Sequence, residues 1–325
     1  MPPASALFLV VASLTCCFSL PVIIDTDIGT DFDDSVALAF AIQSTDLDVR
    51  LVVSATGDTR ARARVVTKYL TAYGRDDIPI GIGVPDNKTA AGSLYGWAAD
   101  FNLSNYKGTV YSDGVDKMAS IIKESNQTVL IIAIAPATNF PSLLQRFPEV
   151  ANRIEVKAMS GSINHGYANS SHPAAEYNVQ HCPTCSSVMY KASWNLTITP
   201  LDTCGVVTLS GSSWDCLLNG TNGVAPVLME SWIYWCLHSG SGSCSVTPGS
   251  HTDVFYDPVA VLLCLPLSLD LMDFKVLKIR ITEDGHTVID NNEGSSTLVA
   301  ISWKGNGLDD FDQFLATTIA IDSSS

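Results

Sequence analysis

Short apolar runs alternate along the chain with amphipathic stretches. Runs rich in β-branched residues predict buried strands at 21–25, 49–55, 78–82, 128–135 and 154–159. Apolar residues that recur every three or four positions predict helices at 35–43, 61–73 and 115–125. The arginines and Lys68 of the second helix are expected on its outer face.

Unbroken apolar strands separated by helices predict an α/β fold. We expect a single large domain with a mostly parallel open sheet flanked by helices. Residues 182–250 are richer in Cys, Ser, Gly and Trp, which predicts loops and short helices rather than a separate domain. Ligand sites in such sheets lie at the carboxyl ends of the strands.

Amino-acid composition and net charge exclude some classes of protein. Of 325 residues, 46% are hydrophobic and 16% are charged, which is enough to form a core and excludes a disordered chain. The net charge of −15 argues against nucleic-acid binding, because a protein that binds a phosphate backbone needs a positively charged surface. An acidic surface is compatible with cation binding.

The first twenty residues carry no charged side chain, and 6–20 is nearly all apolar. This stretch is short for a membrane span, which needs about 20 residues. It is typical of a secretory signal peptide, although the basic flank is missing. A buried N-terminal strand or helix is the alternative. We predict a signal peptide at 1–20, a mature domain at 21–325, and a secreted protein with no membrane attachment after cleavage.

Cysteines and glycosylation sequons also favour the secretory route. Seven cysteines follow residue 20, and Cys182-Pro-Thr-Cys185 could form a local disulfide or half of a zinc site. No second such pair follows, so disulfides or free thiols are favoured over zinc. Six N-x-S/T sequons, which predict a glycoprotein, begin at Asn87, Asn102, Asn126, Asn169, Asn195 and Asn219.

The most informative segment is DTDIGTDFDD at 25–34, directly after the first strand and before a helix. Its five carboxylates repel one another unless a cation neutralises them. Hard oxygen ligands suit Ca²⁺ or Mg²⁺, and a flexible cage of six to eight oxygens suits Ca²⁺ better. The alternative, a solvated loop that caps the next helix, accounts for one or two acids but not five.

This acidic loop resembles the N-terminal motif of the nucleoside hydrolase family (inosine/uridine-preferring type), with Asp31 and Phe32 as two extra residues. The segments APATN at 135–139, AEYN at 175–178 and YDPVA at 256–260 follow in the family's order. The resemblance covers nearly the whole mature chain. It implies a Rossmann-related fold, a dimer or tetramer, and Ca²⁺-dependent hydrolysis of ribonucleosides to free base and ribose.

The resemblance also implies individual roles. The implied Ca²⁺ ligands are Asp27, Asp34, Asp257 and the backbone carbonyl of Thr138. Asp27 would also be the general base. The implied sugar-binding residues are Asp33, Asn169, Glu176 and Asn178. Asn169 heads a sequon, and glycosylation there would exclude it from the pocket. Nearby carboxylates suit this reaction because they stabilise an oxocarbenium-like sugar.

The base side departs from the family pattern. Tyr256 stands where many members have a histidine that protonates the leaving base, and a second histidine is also absent. Asp58 places a further acid near the site, where an asparagine is usual. The candidates for leaving-group binding or protonation are Tyr256, Trp97, Trp232, Trp235, His165 and His238. Trp232 and Trp235 lie one helical turn apart, and core or pocket wall is the favoured explanation for both.

Two other functions compete with a nucleosidase. A haloacid dehalogenase-type phosphotransferase also opens on an acid pair, but Gly29 does not fit its loop and the later segments go unexplained. A catalytically weak secreted protein could keep the metal and ribose site for binding alone. Steady release of ribose distinguishes the enzyme from the binding protein.

Overall fold

The computed structural model describes residues 19–88, 91–221, 223–240 and 246–321. Within these residues ten strands form one sheet: β1 (Leu20–Thr26), β2 (Leu47–Ser54), β3 (Ile80–Gly81), β4 (Val110–Tyr111), β5 (Val129–Ala133), β6 (Ile154–Met159), β7 (Asn195–Thr199), β8 (Met272–Ile281), β9 (Thr287–Ile289) and β10 (Ser295–Trp303). Their order across the sheet is β4-β3-β2-β1-β5-β6-β7-β10-β8-β9.

The same residues form twelve α-helices. They are α1 (Asp33–Gln43), α2 (Thr59–Ala72), α3 (Gly114–Glu124), α4 (Asn139–Arg146), α5 (Tyr177–His181), α6 (Pro183–Lys191), α7 (Leu201–Cys204), α8 (Gly211–Leu218), α9 (Ala225–His238), α10 (Pro258–Leu262), α11 (Leu267–Leu271) and α12 (Gly307–Ala320). The predicted strands and helices are confirmed, with bounds that shift by a few residues.

The sheet is mostly parallel, as predicted. Strand β1 lies at its centre and pairs in parallel with β2 and β5. Only the β10–β8 and β8–β9 pairs at one edge are antiparallel among the described strands. The single α/β domain with helices on both faces is therefore confirmed.

Both faces of the central strands are buried. Ile23 and Val53 belong to the hydrophobic cluster on one side of the sheet, whereas Ile24 and Val52 belong to the cluster on the other side. Successive side chains of a strand point to opposite faces, so a strand covered on both faces is usually apolar at nearly every position. This explains the unbroken apolar runs in the sequence.

The prediction for residues 182–250 is wrong in two places. Strand β7 lies inside the sheet between β6 and β10. Its sequence, NLTIT, mixes threonines with aliphatic residues, yet Thr197 and Thr199 are buried. Helix α9 spans fourteen residues and is not a short helix. The threonines made this segment look too polar for a buried strand. In the fold their hydroxyls are hydrogen-bonded, as Thr199 is to Thr203, and this allows them to be buried.

The structure tests the prediction for the cysteines and shows where the sequon asparagines lie. Cys182 and Cys185 form a disulfide, which confirms the favoured alternative, and Cys204, Cys216 and Cys264 are free thiols. All six sequon asparagines are exposed. Residues 1–18 of the predicted signal peptide lie outside the described residues, so signal peptide, secretion and glycosylation stay predictions. No helix among the described residues has the length and apolarity needed to cross a membrane.

Asp312 on α12 gives a stability prediction. Burial and the neighbouring Asp309 raise its pKa from 3.8 to about 7, and its Oδ1 has no hydrogen-bond partner. A pKa raised by folding favours the folded state below the unfolded value, and this contribution is lost as the pH rises through about 7. Because Asp312 is partly exposed, we expect Asp312→Asn to increase the free energy of unfolding at about pH 8 by only about 1–2 kcal/mol.

Urea denaturation at about pH 8 and about pH 4 measures this effect. At the lower pH both side chains are largely neutral and the two proteins should be nearly equally stable. Asp310→Asn, an exposed position on the same helix, is the control. Equal stabilisation of Asp312→Asn at both pH values would contradict the assignment.

Candidate active site

A cavity opens at the carboxyl ends of β1, β5 and β6, the edge of the sheet where the sequence predicts a ligand site. Its lining residues come from five segments that are far apart in sequence: Asp27, Thr30, Asp31, Asp33, Asp34, Ile134, Met159, Tyr167, Glu176, Tyr177, Asn178, Tyr256 and Asp257. The fold therefore brings the acidic loop together with the AEYN and YDPVA segments.

Three buried carboxylates form a tight triad inside this cavity. One carboxylate oxygen from each of Asp33, Asp34 and Asp257 lies within 4.8 Å of the other two. Asp33 and Asp34 begin α1, and Asp257 precedes α10. The Thr26 hydroxyl donates a hydrogen bond to Asp34. Several anionic oxygens at this spacing fit a hard divalent cation.

The electrostatics of the triad support this fit. Burial first, and then repulsion from the other carboxylates, raises the pKa of Asp33, Asp34 and Asp257 well above the usual value. Buried like charges cannot all ionise without a counter-ion. A divalent cation bound among these oxygens would supply one and reverse the shift.

Two implied metal ligands stand outside the triad. Asp27 lines the same cavity, but its Oδ2 lies 3.6 Å from the Arg62 guanidinium. Burial raises the pKa of Asp27 to about 6, against the lowering effect of Arg62. Thr138 precedes α4 at the end of the β5 segment and is not among the lining residues. Its hydroxyl is buried without a partner.

Arg62 corrects the prediction that the arginines of α2 face outward. Its side chain is fully buried, and Nε donates to the Thr56 carbonyl at 3.0 Å. Nη1 donates to the Ile28 carbonyl and the Thr30 hydroxyl, both at 3.1 Å. Arg62 thereby ties the acidic loop to α2. Helical periodicity contained the signal, because residues two apart lie on opposite faces, so Arg62 cannot share a face with Arg60 and Arg64.

The AEYN segment forms a second polar wall of the cavity. Glu176 caps α5 and accepts backbone N–H hydrogen bonds from Gly161 at 2.9 Å, Asn178 at 2.6 Å and Val179 at 3.2 Å. Burial raises the pKa of Glu176 to about 7 despite these bonds. Asn178 donates from Nδ2 to the Met159 carbonyl at 3.2 Å. Glu176 and Asn178, two of the four predicted sugar-binding residues, therefore line the same cavity as the carboxylates of the acidic loop.

A second cavity adjoins the first and shares three of its residues. Its lining consists of Asp31, Phe32, Asp33, Trp235, Asp253, Val254, Phe255 and Tyr256. Asp31 and Phe32, the two extra residues of the acidic loop, both line this second cavity but differ in their surroundings. Phe32 packs edge-on against Trp232 at 5.0 Å between ring centroids, and Asp31 lies at the exposed mouth. Asp253 was not predicted, because a single acid in a loop carries no sequence signal.

Several predicted residues are not brought to either cavity. Trp97 is buried and donates from Nε1 to Glu230 at 3.0 Å, and Trp232 is part of the core. Asn169 is exposed and lines neither cavity. His165 and His238 are also exposed and outside the lining. Of the base-side candidates, Tyr256 and Trp235 remain.

Asp58 also lies apart from both cavities. Its carboxylate caps α2 by accepting the Ala61 N–H at 2.9 Å, and it lines a separate surface groove. Asp58, which the sequence predicts near the site, is therefore a helix-capping residue outside both cavities.

The family assignment rests on most of the chain. The family model described as "Inosine-uridine preferring nucleoside hydrolase" matches residues 22–310. The chain belongs to this family. The resemblance inferred from the acidic loop and the later motifs is thereby confirmed.

Curated nucleoside hydrolases are similar in sequence to part of this chain. The pyrimidine-specific ribonucleoside hydrolases RihA of Salmonella schwarzengrund and Salmonella agona are both 31% identical over 198 residues. The match covers 57% of this chain and 61% of each relative, so it spans less than two thirds of their length.

Solved structures of nucleoside hydrolases share the fold over nearly the full length. A plant nucleoside hydrolase, PpNRh1, superposes with a TM-score of 0.78 and 18% identity, covering 93% of this chain and 99% of the other. A purine-preferring ribonucleoside hydrolase from Gardnerella vaginalis gives a TM-score of 0.72 with 16% identity, over 93% and 99% of the two chains. This likeness confirms the nucleoside hydrolase fold.

Proposed function

We propose that this protein hydrolyses the N-glycosidic bond of ribonucleosides and releases free base and ribose. The observation that carries the proposal is that one cavity is lined by the buried carboxylates of Asp27, Asp33, Asp34 and Asp257 together with Glu176 and Asn178. Family membership, and the names of the relatives as ribonucleoside hydrolases, support the same reaction.

The residues divide into roles that suit this chemistry. Breaking the bond to the base leaves an oxocarbenium-like sugar, and the carboxylates stabilise its positive charge. Glu176 and Asn178, which line the same cavity, bind the sugar. Asp27 is the general base, because its carboxylate lies in the cavity beside the triad and is held in place by Arg62.

The triad is the proposed Ca²⁺ site, with Asp34 and Asp257 as ligands and Asp33 or Asp27 beside them. When bound, the ion supplies positive charge that makes water easier to deprotonate and binds hydroxyl groups of the sugar. A loop that offers many carboxylate oxygens suits the flexible coordination of Ca²⁺ better than the strict octahedron of Mg²⁺. We further propose a secreted glycoprotein that acts as a dimer or tetramer. The disulfide and the exposed sequons support secretion.

A reducing-sugar assay on the purified protein tests the reaction. We expect ribose release from at least one of inosine, adenosine, guanosine, uridine and cytidine, and loss of that release in the presence of a chelator. Restored turnover on addition of Ca²⁺, but not of Mg²⁺, supports the choice of ion. A folded, Ca²⁺-loaded protein that releases no ribose from any N-riboside would favour the alternative of a binding protein.

The second candidate, a metal- and ribose-binding protein of low activity, is favoured by one observation. None of the described residues that line the two cavities is a histidine. A nucleoside that binds without turnover in equilibrium dialysis would support it.

A further inference from the structure

The two adjoining cavities have an unusual balance of charge. Their acidic lining residues are Asp27, Asp31, Asp33, Asp34, Glu176, Asp253 and Asp257, and no lysine, arginine or histidine is among the described residues that line them. All six histidines of the chain are in the described part, so the absence of imidazole from the lining covers every histidine. Arg62 lies beneath the acidic loop and is fully buried.

This lining disfavours a neutral base as leaving group. When the bond from the anomeric carbon to a neutral base breaks, the electron pair stays on the base and makes it an anion. That anion needs a proton from a nearby donor, and no imidazole, ammonium or guanidinium group is among the described lining residues. Tyr256 and the other lining tyrosines offer only phenols, which with an ordinary pKa of about 10 are poor acids at neutral pH. The surrounding carboxylates also repel a negative charge.

A cationic base avoids both difficulties. Water adds to the anomeric carbon, the carbon–nitrogen bond breaks, and its electron pair neutralises the positive ring nitrogen. The base leaves as a neutral molecule and takes no proton. Asp27 accepts one proton from the water and passes it to solvent, so each ribose formed is accompanied by one released proton.

The second cavity also has the surfaces that bind a flat cation. Trp235 and Tyr256 provide aromatic surface, and the rings of Tyr256 and Tyr167 lie 6.1 Å apart between centroids. A cation over an aromatic face is attracted by the ring. Asp253 lies in the same lining, half-buried, with Oδ1 held by the Val254 N–H at 2.9 Å. Its carboxylate is therefore fixed beside these rings.

We propose that the preferred substrates are N-ribosides whose base already carries a positive charge, such as pyridinium ribosides or purine ribosides alkylated at N7. This inference rests on the proposed nucleosidase reaction and specifies its substrate class. Asp253 is the specificity-determining carboxylate, and Trp235 and Tyr256 are the walls between which the base lies.

The test compares guanosine with 7-methylguanosine, which differ by one methyl group and one positive charge, on the Ca²⁺-loaded protein. We expect kcat/KM to be at least about tenfold higher for the cation, and nicotinamide riboside to be turned over as well. Methylation also weakens the glycosidic bond without any enzyme, so the variant Asp253→Asn is decisive. It keeps the shape and the acceptor for Val254 but removes the charge, and we expect it to lower the cation-to-neutral ratio about tenfold.

Asp270→Asn is the matched control, because Asp270 is an exposed acid on α11 that lines neither cavity. It should leave the ratio unchanged. Equal kcat/KM for the two substrates, or a ratio that Asp253→Asn does not lower, would overturn the proposal while leaving the nucleosidase reaction intact. Absence of ribose from every substrate, neutral or cationic, would instead overturn the proposed function.

Discussion

Asp27→Asn is expected to lower kcat for ribose release by about 10²–10⁴-fold, the usual contribution of a general base. The amide keeps the shape of the side chain and leaves an oxygen towards Arg62, so the loop should remain folded. It cannot accept the proton of the attacking water. Initial rates at saturating nucleoside measure the effect, and circular dichroism checks the fold. A variant that retains full turnover would contradict the assigned role.

Comparing Asp34→Asn with Asp27→Asn distinguishes the proposed metal site from the proposed general base. Asp34 belongs to the triad, whereas Asp27 does not. We expect Asp34→Asn to weaken Ca²⁺ binding and turnover together, because it removes an anionic ligand, with partial recovery at high Ca²⁺. Titration calorimetry on the two variants gives the comparison. Asp46→Asn, an exposed acid before β2, is the control for the loss of one negative charge.

Arg62→Met is expected to lower the free energy of unfolding by about 3–5 kcal/mol, the cost of leaving a buried charge without its partner. The methionine fills much of the space but returns no hydrogen bond to the carbonyls of Thr56 and Ile28. Asp27 then keeps its burial and loses its counter-ion. Urea denaturation in a chelator measures the loss. Added Ca²⁺ should restore part of it, because the ion supplies positive charge to the same carboxylates.

Arg60→Met is the matched control for this prediction. Arg60 lies on the same helix two residues earlier and is exposed. Surface substitutions of this kind change stability by at most about 0.5 kcal/mol. A loss for Arg62→Met no larger than that of Arg60→Met would show that the acidic loop does not depend on its buried cation.

The acidic loop was predictable from sequence because it follows a strand with a clear apolar pattern. The run before Asp25 is apolar at every position, so both the strand and the edge at which its acids lie follow from patterning. The AEYN and YDPVA segments were found by their order along the chain. Their meeting with the acidic loop in one cavity needed the structure, because order along a sequence does not give distance.

Other features depend on tertiary context. The charge of Arg62 suggested a solvent-exposed side chain, but the carbonyls of Thr56 and Ile28 and the buried carboxylate of Asp27 satisfy it inside the fold. Thr56, in the loop between β2 and α2, has a positive φ of 55°, a backbone conformation that β-branched residues rarely adopt. Strand β7 was hidden by its threonines. Trp232 and Trp235 are one helical turn apart, and only packing shows that the first is core and the second cavity wall.

The triad joins the two ends of the chain, since Asp33 and Asp34 come from the first helix and Asp257 from a loop late in the sequence. The proposed ion-binding site is therefore absent until the chain from β1 to α10 has folded. A ligand that binds only the native state stabilises it by mass action, by about 2.7 kcal/mol at a hundredfold excess over its dissociation constant. Contacts this distant in sequence form late in folding and are costly to close. Calcium is thus expected to act on the lifetime of the native protein, by slowing its unfolding, more than on the speed with which a nascent chain reaches it.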